Sequence, residues 1–296
     1  MTPALLPPYI QGLAARFMNA AGTNAIVFAN RAAHPLAETE LLMSTDFSLD
    51  GRIALVTGAG RGIGRNIAVA YARAGAHLVI GARTRAELDE VGAEIEACGV
   101  RVSSRHLDMS DLDSVRAFAA AALDQFGRID ILVNNAGVPM RKTVLETTEK
   151  DWDWVTDVNQ KGLFFLTQAC AHAMIERGEG GKVIHISSTL GFVQMPGQCV
   201  YGSGKAAVVH MCRGMALEWA EHKINVNTIA PFATRTGLGR DLPNYEQMLT
   251  ERAATIPMGR VLDPDDLEGA ALFLASSASD FITGQTIVVD GGYSVQ

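Results

Sequence analysis

The sequence predicts a doubly wound α/β fold, one parallel sheet with helices on both faces. Three observations carry that prediction. Short apolar runs alternate with longer amphipathic stretches from residue 52 onward, the pattern of strands joined by crossover helices. The first run leads through a glycine-rich turn straight into a helical pattern. No Pro- or Gly-rich linker divides the alternation, so one large domain accounts for it.

In chain order, residues 53–57, 77–82, 102–107, 129–134, 182–187, 224–229 and 286–289 read as seven strands, apolar enough to be covered on both sides. Segments 62–74, 85–98, 111–126, 159–177 and 201–220 space Ala, Leu, Val and Met at helical intervals. A sheet of this kind binds ligands beyond the carboxyl ends of its strands, where connecting loops diverge. The longest irregular insertion, about 231–257, follows the sixth strand and is expected to form a lid over that edge.

Residues 1–44 differ from the rest. They are rich in Ala, Pro and Asn, lack a sustained period, and precede a second methionine, Met43. The expectation is an appendage, either a disordered tail or an early-assigned start, ahead of a domain over 45–296. A transit peptide fits less well: Arg16 and Arg31 occur without any acid up to residue 37, but serine is absent there.

Composition excludes several classes. The formal charge of -7 and pI near 5.5 disfavour nucleic acid and anionic lipid as partners. No run reaches the roughly 18 apolar residues of a membrane span. Cys98, Cys170, Cys199 and Cys212 form no C-x-x-C pair, which fits a reducing, cytoplasmic setting without disulfides. His172, His185 and His210 lack metal-ligand spacing, so no metal is expected, and Cys199 reads as a small packing residue.

The turn after the first strand reads Thr57-Gly58-Ala59-Gly60-Arg61-Gly62-Ile63-Gly64. Small residues there let the backbone approach a pyrophosphate, while a helix N-terminus supplies unpaired N-H groups and partial positive charge. The spacing is T-G-x-x-x-G-x-G rather than G-x-G-x-x-G. It is followed in order by Asp108, by Asn134-Asn135-Ala136-Gly137, by Asn159, by Ser188, and by Tyr201-Gly-Ser-Gly-Lys205. On these motifs the chain resembles the short-chain dehydrogenase/reductase family, over essentially all of residues 46–296.

That resemblance implies a Rossmann-type domain, a nicotinamide cofactor and hydride transfer between an alcohol and a carbonyl. It implies cofactor contacts from Gly58, Arg61, Gly62, Ile63 and Gly64 in the loop. It adds Asp108 and Met109 at the adenine, Asn135, Ala136 and Gly137 along the ribose and pyrophosphate, and Pro231, Thr234 and Thr236 at the nicotinamide end. An acid closing the second strand would bind the ribose hydroxyls of NAD; this chain has Ala82 there, followed by Arg83. Arg61 and Arg83 together can hold a 2'-phosphate, so NADP(H) is expected ahead of NAD(H).

Carbonyl reduction needs a proton donor for the developing alkoxide. A tyrosine can serve, but its ordinary pKa of about 10 calls for a nearby cation. Tyr201 and Lys205, four apart on a helix, share a face. Ser188 lies thirteen positions before Tyr201, and its hydroxyl can polarise the carbonyl; Ser187 is set aside. The resemblance makes Asn159 the fourth member, linking Lys205 to solvent through water, and gives Lys205 a second role on the nicotinamide ribose.

Relatives carry Pro-Gly after the sixth strand, whereas this chain has Pro231-Phe232, so a backbone suited to glycine is expected to be strained or shifted. Substrate contacts are expected from Ser188, Gln194, Gln198 and Tyr201, with Met140, Arg141, Met195, Phe232 and Arg235 as further candidates. The carboxyl half resembles gluconate and polyol dehydrogenases, implying a small keto sugar acid, polyol or related ketone. The alternative is a 3-oxoacyl-carrier-protein reductase, disfavoured by Glu179 and His222 where basic docking residues are expected. A non-catalytic nucleotide-binding regulator is disfavoured by the joint presence of Asn159, Ser188, Tyr201 and Lys205. The resemblance also implies a homotetramer, or a homodimer, assembled through helices 159–177 and 201–220 and the carboxyl tail.

Overall fold

The computed structural model describes residues 47–236 and 244–296. The extension over 1–44 and residues 237–243 of the expected lid lie outside the described residues. Among the described residues seven strands pair in parallel throughout: β1 (Ile53–Thr57), β2 (His77–Ala82), β3 (Val102–His106), β4 (Ile131–Asn134), β5 (Gly181–Ile186), β6 (Ile224–Pro231) and β7 (Thr286–Val289), in the order β3-β2-β1-β4-β5-β6-β7. Successive residues of each strand point to opposite faces, which sorts the core into two layers. Ala54 and Val56 of β1 join one cluster; Ile53 and Leu55 join the other.

The first face is covered by α1 (Gly62–Arg73) and α2 (Arg85–Glu96) through Ile67, Tyr71, Leu88 and Ile95, all fully buried. The second is covered by α3 (Leu112–Phe126), α5 (Leu163–Arg177) and α6 (Cys199–Trp219) through Phe118, Leu166, Met174, Val208 and Cys212. Between α3 and α5 runs α4 (Glu149–Thr156), capped by a reciprocal Thr148 and Asp151 pair. After β6 come α7 (Tyr245–Ala253) and α8 (Glu268–Ala275). The Tyr71 hydroxyl donates to the Ala271 carbonyl at 2.9 Å, pinning α1 to α8 across the first layer.

Beyond shifts of one or two residues at strand and helix ends, three features differ from the sequence expectation. The helix predicted from residue 159 begins at Leu163, because Asp157–Gly162 form a π-helical turn that contains Asn159. Such wide turns carry no side-chain period of their own and recur at functional sites. Gly162 makes the turn possible: a Cβ there would stand 2.1 Å from the Met109 carbonyl oxygen. The insertion over 231–257 is not irregular throughout, since it holds α7, whose one buried residue, Leu249, leaves almost no apolar stripe. Cys199, expected as packing, is exposed at the start of α6.

Strand register at the amino edge converges on Asp130, whose carboxylate is 1% exposed. It accepts from the Ile53 backbone at 2.8 Å and from Arg128 at 2.6 Å, and pairs with Arg177 at 3.1 Å. Its own backbone bonds Ile53 and Lys182, so one residue ties β1, β4 and β5 together. Removing the carboxylate strands a buried N-H and partly buried guanidinium groups. Asp130→Ala is therefore expected to lower stability by about 3 kcal/mol, read as a fall in the urea midpoint at unchanged slope. A wild-type midpoint would show that the ion cluster does not hold the sheet.

Candidate active site

The strand order reverses direction between β1 and β4, which opens a crevice at their carboxyl ends. The two rims are joined by a side-chain hydroxyl. Thr57 Oγ1 accepts from the backbone N-H of Asn135 at 3.0 Å and of Ala136 at 2.9 Å. Asn135 Nδ2 donates back to the carbonyls of Thr57 at 2.9 Å and Gly58 at 3.2 Å. Asn135 thus acts as a strut for the glycine loop, a job its place in the motif does not reveal.

Two glycines of that loop have left-handed backbones, Gly58 (φ +63°) and Gly62 (φ +57°), and a Cβ at Gly58 would sit 2.9 Å from the Ala136 Cα. The loop delivers the N-terminus of α1 to the crevice. The residue that caps it, Arg61, makes no side-chain capping bond, and no acid lies in the first turn. Uncapped N-H groups at a helix start suit a pyrophosphate, so the residues present fit a dinucleotide.

The crevice wall takes in Gly58, Arg61, Gly62 and Ile63 from the loop, Arg83 after β2, and Asp108 and Met109 after β3. It continues through Asn135, Ala136 and Gly137 to Ser188, Tyr201 and Lys205, and is closed by Pro231, Thr234 and Thr236. Gly64 lies behind the wall, where a Cβ would stand 2.4 Å from the Gly58 oxygen and from Asn135 Nδ2. The Ser110 hydrogen bonds, with Arg83 as a weaker neighbour, hold the Asp108 carboxyl below its ordinary range, so it presents a fixed anion.

At the other end, Ser188 follows β5 by two residues and hydrogen-bonds the Tyr201 phenol. Lys205 Nζ lies 5.7 Å from the centre of the Tyr201 ring and donates to the Ile186 carbonyl at 2.9 Å. Ser187, which the sequence reading set aside, donates to the Lys205 carbonyl at 2.8 Å and fixes that part of α6. Asn159 faces the Val138 backbone, accepting from its N-H at 2.8 Å and donating to its carbonyl at 2.9 Å. Both Asn159 Oδ1 and Lys205 Nζ lie within 4 Å of where a Gly137 Cβ would stand, so the glycine keeps that corner open.

Burial governs the electrostatics. It lowers the Lys205 ammonium to about 8, still charged at neutral pH. It raises the Tyr201 phenol above its ordinary value, and the Ser188 hydrogen bond offsets this only in part. A phenol that keeps its proton suits the donor role in carbonyl reduction. His185, fully buried, is pushed down to about 3 and stays neutral. Among the described residues, no group of His, Cys, Asp and Glu could hold a metal ion.

The expected substrate residues are less concentrated. Gln194 packs over Gly202, and the Gln198 carbonyl accepts from the Gly202 N-H at 2.7 Å; neither lines the crevice. Met140 is core, Met195 touches an Arg252 guanidinium at 2.9 Å, and Arg235 pairs with Glu246 at 3.2 Å. Phe232 lines the crevice without a left-handed backbone; its ring stacks on Tyr293 with centroids 3.7 Å apart, so the predicted glycine-type strain does not arise. Sequence reasoning missed several wall residues, Glu87 and Trp154 among them.

A glycine loop at the switch point, leading to a Ser, Tyr and Lys cluster, defines an oxidoreductase of alcohols and carbonyls. Residues 58–294 match the family model described as enoyl-(acyl carrier protein) reductase. The chain is 43% identical over 250 residues to 2-dehydro-3-deoxy-D-gluconate 5-dehydrogenase of Escherichia coli (strain K12), covering 83% of this chain and 97% of that one. A short-chain type dehydrogenase/reductase from Mycobacterium marinum superposes with a TM-score of 0.80 at 38% identity, covering 85% of this chain and 98% of that one. A gluconate 5-dehydrogenase from Burkholderia cenocepacia J2315, in complex with NADP and tartrate, gives 0.79 at 38% identity with the same coverage. The chain belongs to the short-chain dehydrogenase/reductase family.

Two outcomes are expected. Tyr201→Phe should lose turnover by about three orders of magnitude, the scale of a lost general acid, while dinucleotide binding persists in a fluorescence titration. Wild-type-like turnover would remove the residue from the chemistry. The second concerns pH. Lys205 is charged below its value of about 8 and neutral above it, so carbonyl reduction should decline as pH rises through that value. In a kcat/KM profile, Lys205→Arg should move this limb upward, since a guanidinium keeps its charge; an unmoved limb would assign it elsewhere.

Proposed function

We propose that the chain is an NADP(H)-dependent oxidoreductase that interconverts a small carbonyl compound, a keto sugar acid or related polyol, with its secondary alcohol. The observation carrying this is one continuous crevice with Arg61 and Arg83 at one end and Ser188, Tyr201 and Lys205 at the other. A bound nicotinamide would supply or accept the hydride at the carbonyl carbon. Ser188 orients the carbonyl oxygen, Tyr201 gives that oxygen its proton, and Lys205 holds the positive charge that stabilises the phenolate left behind. Asn159, set beside Lys205 by the π-helical turn, positions the water that returns the proton.

The sugar-acid reading is supported by the E. coli relative's name and by the NADP and tartrate of the Burkholderia structure. It is also supported by two cations beside the segment between Ser188 and Tyr201. Arg141 packs on Gly197, and Arg252 of α7 rests on the Met195 sulfur; neither has a carboxylate partner among the described residues. A thioether leaves a guanidinium's charge unanswered, as suits a site for a substrate carboxylate. The carrier-protein reading has less support, because Glu179 sits against Arg128 and Arg177, each at 3.3 Å, and masks their charge.

The same reading includes a cytoplasmic homotetramer, with a homodimer as the alternative. Partly exposed Phe164 on α5 and largely exposed Leu217 on α6 support assembly there. Among the described residues no helix is long and apolar enough to cross a membrane.

An NADPH-consumption screen of keto sugar acids, neutral ketoses and an acyl-carrier substrate tests the proposal. Turnover is expected on the keto acids. Arg252→Ala should raise KM for them about tenfold, the scale of one charge-assisted bond, with neutral ketoses unaffected. Turnover confined to the acyl carrier, or binding without turnover, would replace the reading with the carrier reductase or a regulator.

A further inference from the structure

Ala82 stands where an acid at the end of β2 would bind the ribose hydroxyls of NAD(H). The structure restores a carboxylate to that neighbourhood from another element. Glu87 lies in the first turn of α2, yet its side chain crosses the groove to the glycine loop. Its Oε2 stands 2.8 Å from where a Gly60 Cβ would be, and the Ala82 Cβ lies 3.5 Å from the same point. Its Oε1 is 3.4 Å from Arg61 Nη1, a contact between residues 26 apart in sequence. Acids are common in a helix's first turn, where they meet the dipole. Helix capping does not explain this one, since Thr84 makes no side-chain capping bond and Glu87 is aimed at Arg61.

The charges around the groove are sorted unequally. Arg85 is paired with Asp89 at 2.8 Å, and Arg83 acts on Asp108. Arg61 is the cation of the loop itself, and Glu87 holds it. Resting on the reading that Arg61 takes the 2'-phosphate, we propose that Glu87 is the residue that sets discrimination between the phosphorylated and unphosphorylated dinucleotide. The carboxylate competes with a 2'-phosphate for Arg61 and repels it, and it offers an acceptor to the free ribose hydroxyls of NAD(H). The chain accordingly binds both cofactors, with a narrower preference for NADP(H) than two arginines would give alone. No acid at the end of β2 is needed for this, because Gly60 leaves room for one to arrive from α2.

The test is a dihydronicotinamide fluorescence titration of the full chain with NADPH and with NADH, at low and at physiological salt. Glu87→Gln keeps shape and removes charge; Arg61→Ala reports on the phosphate reading separately. Wild type is expected to bind both cofactors. Glu87→Gln should tighten NADPH and weaken NADH, each by about two- to fivefold, the span of a half-exposed ion pair, and the NADPH effect should shrink with salt. If Arg61→Ala lowers the NADPH to NADH affinity ratio while Glu87→Gln leaves it at the wild-type value or lowers it, the role of Glu87 is overturned and the phosphate reading stands. If Arg61→Ala leaves the ratio unchanged, the phosphate reading itself fails, and Glu87 with it. Equal circular dichroism spectra for the three proteins exclude misfolding as the cause.

Discussion

The Thr57 hydroxyl, at the end of the first strand, holds the backbone of the fourth, and the crevice depends on that joint. Two parallel strands whose connections leave in opposite directions would otherwise splay at their carboxyl ends, where no further ladder bonds restrain them. The hydroxyl accepts two N-H groups at once, and the Asn135 amide returns two bonds to the carbonyls beneath the glycine loop. The loop can therefore place an uncapped helix start in the crevice without losing its position. Gly58 is required by the same joint, since any side chain there would strike Ala136.

A second joint sets the chemistry. Lys205 is 5% exposed, and an ammonium group that deep persists only with partners close by. It donates to the Ile186 carbonyl, while its own carbonyl is held by Ser187, so α6 is fastened to the end of β5 at both ends of one residue. That fastening aligns Tyr201 with Ser188, because the tyrosine sits one turn earlier on α6 and the serine directly follows the clamped strand end. The two serines of one short run thus divide the work: one fixes the helix and the other faces the phenol.

Much of this was legible in the sequence, for a definite reason. The glycine loop and Ser188 follow strand ends directly, and Tyr201 and Lys205 lie one turn apart near the start of α6, so spacing along the chain determines where they project. Contacts that join distant elements were not legible. Glu87 meets Arg61 across 26 residues and reads in isolation as an ordinary first-turn acid. Asn159 follows from the resemblance, but nothing in the sequence distinguishes its π-helical turn from regular helix, because such a turn has no period to detect. The sequence places a lysine one turn from the tyrosine, but it does not show that both are buried, which raises the phenol and lowers the ammonium.

Phe232 shows how a departure from the family pattern can be absorbed by the tertiary structure. Its backbone stays outside the left-handed region, so losing a glycine there imposes no torsional cost. The ring instead finds a stacked partner in Tyr293, near the carboxyl end. That tail is itself organised by Asp290, which accepts from the N-H groups of Gly292 and Ser294 at 2.9 Å each. Gln296 then donates to the Thr255 carbonyl at 3.0 Å, just past the end of α7. A crevice wall residue, the carboxyl tail and the helix carrying Arg252 are thereby linked in one chain of contacts. A glycine at position 232 would have no ring to begin that chain, so in this protein the aromatic residue couples the crevice wall to the carboxyl tail and, through it, to the end of α7.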